Sequence, residues 1–175
     1  MLTPFQELVN RFDLDASDAE SPAIGFVEFS GCALCTAAQS ASVLYPLTSD
    51  PNKLATAIAN RAPPSSQMPM TCISCGLDVA RSLLSSMSRP GGMPLVLLLT
   101  DGEQSILGGD AEAEYASGQL KAQGVDLVAL GLGETNVLAM ESMASHPVPS
   151  YFRTAEDVNV LLNQARQPHP SAPPR

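Results

Sequence analysis

The chain has 175 residues, 45% of them hydrophobic and 15% charged, which suits one domain with a real buried core. Its net charge of −9 argues against nucleic-acid binding, which needs patches of Lys and Arg to meet the phosphate backbone. No apolar run approaches the roughly 20 residues of a membrane-spanning helix, and Met1 to Glu7 carries no basic segment of the signal-peptide kind.

Phe5, Leu8, Val9 and Phe12 recur at helical spacing, so Phe5 to Phe12 is predicted as a short helix, with Thr3 as cap and Pro4 at the first position. Asp13 to Pro22 is acidic and turn-rich and reads as a loop. Ala23 to Phe29 reads as a strand ending at Ser30-Gly31. Gly31 to Ser40 is a small-residue loop that holds the first cysteine pair. Ala41 to Leu47 suits a short strand, with Pro46 confining it to an edge or an end. Asp50-Pro51 opens a helix whose face is Leu54, Ala55 and Ile58 and which ends near Arg61.

After a Pro/Ser/Met loop the second cysteine pair opens a helix with Leu77, Ala80, Leu83 and Leu84 as its stripe. Leu95 to Leu99 is then a continuous apolar run without alternation, bounded by Pro90, Gly91, Gly92 and Pro94 in front and stopped by the turn chemistry of Asp101-Gly102. A run of this kind predicts a strand covered on both faces in a parallel sheet. Ligands of open α/β sheets bind beyond the carboxyl ends of the strands. The carboxylate of Asp101 stands at such an end, as a ligand for a hard cation or as a cap of the next segment.

Asp110 to Ala122 is a predicted helix, Asp126 to Leu130 a strand, Val137 to Ala144 a helix stopped by His146-Pro147, and Ser150-Tyr151-Phe152 a short strand. Thr154, with Asp157 three residues on, reads as the cap of a last helix with Val158, Leu161 and Leu162 turned inward. Residues 1–166 are read as one domain and 167–175, with four prolines, as a disordered tail or linker. Strands alternating with helices predict an α/β fold, a mostly parallel sheet with helices on both faces. The methionines Met68, Met70, Met87, Met93, Met140 and Met143 read as gap-filling core.

In order and spacing these segments resemble a von Willebrand factor type A domain. Phe26-Val27-Glu28-Phe29-Ser30 is similar to that family's second strand and Thr71-Cys72-Ile73-Ser74-Cys75-Gly76-Leu77 to its threonine loop entering a helix. Leu97-Leu98-Leu99-Thr100-Asp101-Gly102-Glu103 resembles its fourth strand and acidic turn, and Gly124-Val125 with Ala129-Leu130-Gly131-Leu132-Gly133 its fifth strand. Ala144-Ser145 with Tyr151-Phe152 resembles the segment before its last helix. The resemblance implies a three-layer, doubly wound, Rossmann-like sheet. It also implies a metal-ion-dependent adhesion site in which Thr71 and Asp101 are ligands of Mg²⁺ or another divalent cation, with water and a partner's carboxylate filling its octahedron.

The family takes its other three ligands from a D-x-S-x-S turn after its first, central strand. Residues 1–175 show that turn nowhere after a strand; Asp15-Ala16-Ser17-Asp18-Ala19 imitates it, with Ala19 in place of a serine and in a loop after a helix. The expectation is therefore of an N-terminally truncated domain in which the second and fourth strands pair directly or lack the neighbour between them. Mg²⁺ binding by these residues is expected to be weak.

Cys32/Cys35 and Cys72/Cys75 form two C-x-x-C pairs. They suit disulfides, within each pair or across the two loops that the resemblance places at one end of the sheet. They also suit unpaired buried thiols. A Cys₄ zinc site matches the internal C-x₂-C spacings but not the 36 residues between the pairs, a gap longer than the usual ribbon spacing. A thioredoxin-like centre fits less well again, since the strand pattern around Cys72 and Cys75 is not thioredoxin's. Gly131-Leu132-Gly133 begins a dinucleotide fingerprint, but Asn136 stands in place of its third glycine. There is no G-x-S-x-G elbow, and His146 and His169 lie in a turn and the tail.

The function expected is that of a non-catalytic adhesion or interaction module. It would recognise a protein or extracellular-matrix ligand through the loops around Thr71 and Asp101. The alternatives are an intracellular scaffold of the same family and a Mg²⁺-dependent α/β hydrolase using Asp101, the latter short of basic residues near the strand ends because Lys53 and Lys121 are the only lysines. Oxidised cysteines would favour an extracellular setting.

Overall fold

A computed structural model of the protein describes residues 9–32, 34–60, 70–86, 92–100, 103–106, 108–133 and 135–155. Local chemistry accounts for the first elements. Strand β1 (Ile24–Phe29) pairs antiparallel with β2 (Ala41–Thr48). Between them a single turn of helix, α1 (Ala37–Ser40), is closed by the Gln39 side chain, whose Oε1 accepts from the Thr36 backbone N–H at 3.0 Å. Pro46 lies inside β2, and the ladder shifts register there: Ile24 faces Thr48 but Phe26 faces Tyr45. An irregularity at an edge strand is where a residue without an N–H fits. Helix α2 (Pro51–Ala59) starts where predicted: Asp50 Oδ1 accepts from the N–H groups of Asn52 and Lys53 at 3.0 and 3.3 Å, with Pro51 at the first position.

The second half is a three-stranded parallel sheet. β4 (Asp126–Leu132) runs between β3 (Leu95–Thr100) and β5 (Phe152–Ala155), in register from Leu95 opposite Asp126 to Thr100 opposite Gly131. Helices α3 (Ile73–Ser86), α4 (Asp110–Ala122) and α5 (Val137–Met143) bring their apolar stripes to one core with it. Ile73 and Leu77, Ala113, Ala116 and Leu120, and Met140 and Met143 all pack with Leu98, Leu127 and Ala129. The small residues of α4 let it lie close to its neighbours. At the end of α5, the Lys121 ammonium donates to the carbonyls of Ser142, Met143 and Ala144 at 3.0 to 3.3 Å, so a cation closes a helix C-terminus. One helical turn, α6 (Val148–Tyr151), leads into β5.

The two groups of strands do not form one ladder. Among the described residues β1 and β2 make one sheet and β3, β4 and β5 another, so β1 and β3 do not pair directly. The halves are joined instead through α3, which packs on β1, on β2 and on α4. Gly76 permits this contact: a Cβ there would lie 2.7 Å from the Phe29 ring.

Four expectations are corrected. The run in β3 is not buried on both faces: Leu98 and Thr100 are buried, Leu98 in the core it shares with α3, α4 and α5, but Leu95 is 50% and Leu97 40% exposed. Ser150 and Tyr151 are helical rather than extended, and Thr154 sits in β5 opposite Gly131 instead of capping a helix. Met140 and Met143 are core, whereas Met93 is 89% exposed. Met68, Met87, the first predicted helix up to Leu8, the last helix and the 167–175 tail lie outside the described residues.

Candidate functional site

Parallel strands leave their carboxyl ends on one rim, and the loops leaving β1, β3 and β4 meet the start of α3 there. Gly31, just past β1, bridges to Met70, whose N–H donates to the Gly31 carbonyl at 3.0 Å. The backbone of Thr71 is clamped by Ser105. Its N–H donates to Ser105 Oγ at 2.8 Å, and its carbonyl accepts from the Ser105 N–H at 3.0 Å. Ile106 packs against Gly31 so closely that a Cβ there would lie 2.6 Å from its Cδ1.

Gln104 carries the network inward. Its side chain is buried and reads Ser74 twice: Oε1 accepts from the Ser74 N–H at 2.7 Å, and Nε2 donates to Ser74 Oγ at 2.8 Å. An orphan N–H in the first turn of α3 is thereby satisfied. The Gln104 N–H donates to Asp110 Oδ1 at 3.2 Å, and Asp110 Oδ2 accepts from Asn136 Nδ2 at 3.0 Å. Asn136 in turn caps α5, its Oδ1 accepting from the Ala139 N–H at 3.2 Å. The loops after β1, β3 and β4 and the approach to α3 are thus tied into one rim.

Of the sequence-predicted ligands, Thr71 is on this rim, half-buried and with its backbone fixed. Asp101 lies outside the described residues, four positions before Ser105 in the same loop sequence. Among the described residues no three of His, Cys, Asp and Glu cluster to hold a metal. Asp15 is in a loop as predicted: its Oδ1 accepts from the N–H and the hydroxyl of Ser17 at 2.8 and 2.7 Å, and these bonds hold its carboxyl below the usual carboxylate range. Among the described residues the rim offers a hydroxyl from Thr71, an oxygen donor of the kind a hard divalent cation takes.

Both C-x-x-C pairs close on themselves. Cys32 is bonded to Cys35 and Cys72 to Cys75, with Cα atoms 5.1 and 5.3 Å apart; neither pair bridges across the loops, and there are no free cysteines among the described residues. Sequence reasoning missed Gln104, Ser105, Asp110 and Asn136. In the sequence Asn136 stands out only as the wrong residue for a dinucleotide turn. The available signal was that Gln104 and Ser105 directly follow the acidic turn and that Asp110 and Asn136 each open a helix.

A model of the von Willebrand factor type A domain matches residues 2–167. The chain belongs to that family. Its architecture is accordingly the three-layer α/β type of the von Willebrand factor type A domain, as expected from the sequence. Solved structures agree on the fold. Proximal thread matrix protein 1 of the mussel byssus is 23% identical over 91% of this chain and 39% of its own, with a TM-score of 0.75; it has also been solved with a zinc-occupied adhesion motif. Manganese-loaded TRAP protein of Plasmodium vivax is 16% identical over 94% of this chain and 63% of its own, with a TM-score of 0.68. The pilus adhesin SpaC of Lactobacillus rhamnosus GG is 14% identical over 93% and 26%, with a TM-score of 0.64. The chain thus spans between a quarter and two thirds of these proteins, and at such identities the likeness is one of fold.

Proposed function

We propose that this von Willebrand factor type A domain is a non-catalytic binding module that docks a protein or matrix ligand on the rim around Thr71 and Asp101. One observation carries the reading: Ser105, in the loop that follows Asp101, clamps Thr71 through both its backbone groups. The threonine loop and the aspartate loop therefore act as one unit. Buried Gln104 and half-buried Asp110 fix that unit to α3 and α5, so the rim is presented by the rigid core rather than by free loops.

A divalent cation would be held by the Thr71 hydroxyl and the Asp101 carboxylate, and would supply open positions for an acidic side chain of the partner. Residues 1–175 offer no D-x-S-x-S after a strand, so Mg²⁺ alone is expected to bind weakly here. Metal-bearing relatives of the fold, one with zinc and one with manganese, support cation use when the ligand set is complete. The rim residues described hold no nucleophile with a base beside it, which supports binding over catalysis. Two disulfides and a pilus adhesin among the structural relatives support an oxidising, extracellular setting.

The test has two arms. Calorimetry of the 1–175 chain with Mg²⁺ is expected to give only millimolar-range binding, and a tight one-to-one isotherm would defeat the incomplete-site reading. Fusing an apolar strand ending in D-x-S-x-S in front of Met1 is expected to restore tight Mg²⁺ binding. Asp101→Ala in that fusion should remove it. If the Asp101→Ala fusion binds Mg²⁺ as before, Asp101 is not a ligand.

A further inference from the structure

The two disulfides share one spacing and differ in their surroundings. Cys72 and Cys75 are 0% and 4% exposed, folded into the first turn of α3 with Ser74 held by Gln104. Cys32 and Cys35 are only half-buried, and Leu34 between them is 94% exposed. Thiol–disulfide exchange requires a thiolate to reach a sulfur, so rate follows access. One bridge is open to that attack and the other is closed in by the core.

The open bridge is also flanked by hydrogen bonds that do not involve it. On its two sides the Ser30 N–H donates to the Ser40 carbonyl at 2.8 Å, the Met70 N–H to the Gly31 carbonyl at 3.0 Å, and the Thr36 N–H to Gln39 Oε1 at 3.0 Å. These bonds hold β1, β2 and α1 without the sulfur link. A bridge between residues three apart closes a very short loop and so restricts the unfolded chain least. Its opening changes one short stretch of surface next to Met70 and Thr71.

We propose that Cys32–Cys35 is a reversible thiol–disulfide switch on the rim, opened by dithiol reductants while Cys72–Cys75 stays closed. One thiolate of the dithiol attacks a sulfur of the bridge and forms a mixed disulfide, releasing the other cysteine as a thiolate. The dithiol's second sulfur then displaces the mixed disulfide, closing the reductant's own disulfide and freeing the second cysteine. Two electrons pass to the bridge, and the two protons given up by the dithiol end on Cys32 and Cys35. Closed, the bridge holds exposed Leu34 in a tight turn three residues past Gly31, which pairs with Met70; open, it releases that turn. That this alters docking rests on the function proposed above, whereas the selectivity of reduction does not.

The experiment titrates the oxidised 1–175 chain with dithiothreitol under native conditions, traps thiols with iodoacetamide and maps them by peptide mass spectrometry. Cys32 and Cys35 are expected to label at a dose at least about tenfold below that for Cys72 and Cys75, with unchanged circular dichroism, and oxidised glutathione should close the bridge again. In the Cys32→Ser/Cys35→Ser variant the low-dose step disappears while the dose for Cys72 and Cys75 stays the same. The proposal is overturned if both bridges open together, if Cys72–Cys75 opens first, if the untreated oxidised protein already labels at Cys32 and Cys35, or if opening Cys32–Cys35 unfolds the chain. Metal titration is independent of all these outcomes, so a failure here leaves the docking reading standing, and the reverse.

Discussion

In the three-stranded sheet β4 has a neighbour on each side, and its Leu127 and Ala129 are wholly buried; in the two-stranded sheet no residue of β1 is fully buried. Three helices cover the first sheet and share its core, while the second reaches that core through Phe29 packed on α3. The difference shows where the fold's stability is concentrated. Burial scales with apolar area removed from water, so the parallel half supplies most of it. The rim inherits this asymmetry: Gln104, Asp110 and Asn136 are anchored on the well-buried side, and the half-buried cysteine pair hangs from the less buried side.

Truncation at the centre of the parallel half should have the largest effect. Leu127→Ala removes a fully buried side chain and is expected to cost about 2–5 kcal/mol, lowering Tm by roughly 4–20 °C in a thermal melt. A loss below about 1 kcal/mol would mean that the core does not rest on β4. Gln104→Ala comes next. It strips two hydrogen bonds from buried Ser74, at about 1–3 kcal/mol by urea unfolding, and should loosen Thr71 and Ser105 in amide exchange. Gly76→Ala tests the joint between the halves. The new methyl must displace the Phe29 ring, costing about 1–3 kcal/mol, and a neutral result would show that β1 shifts freely over α3. Smallest is Val43→Thr on β2, where the side chain is 43% exposed and the change should stay within about 0.5 kcal/mol. If Val43→Thr matched Leu127→Ala, the contrast between the halves would be lost.

Acid should act weakly on the loop before β1. The Asp15 carboxyl is held below its usual range by Ser17, so its contribution is present above the ordinary carboxylate pKa and is lost as pH falls through the lowered value. The group is fully exposed, so a Ser17→Ala variant should show the same acid-unfolding midpoint within error, with only the Asp15 titration, followed by NMR, moving upward.

Much of this was readable from local chemistry. Asp50-Pro51 specified a helix start, Asp110 to Ala122 a helix over the span observed, and Leu95 to Leu99 a strand, because caps, turn residues and periodicity act over a few neighbours. The order of such pieces was enough to place the chain in the von Willebrand factor type A family. Other features depend on what an element meets. The same apolar run of β3 carries buried Leu98 and exposed Leu95 and Leu97, since covering a face is decided by the helices that arrive there. Four cysteines at equal spacings left their pairing open, and only the fold made each pair close within itself, one buried and one half-buried. The rim's polar wiring was unreadable for the same reason: Gln104 and Ser74 are 30 positions apart, and Asp110 and Asn136 are 26 apart. A hydrogen bond at that separation leaves no local pattern, whereas a cap or an amphipathic stripe writes one into every turn.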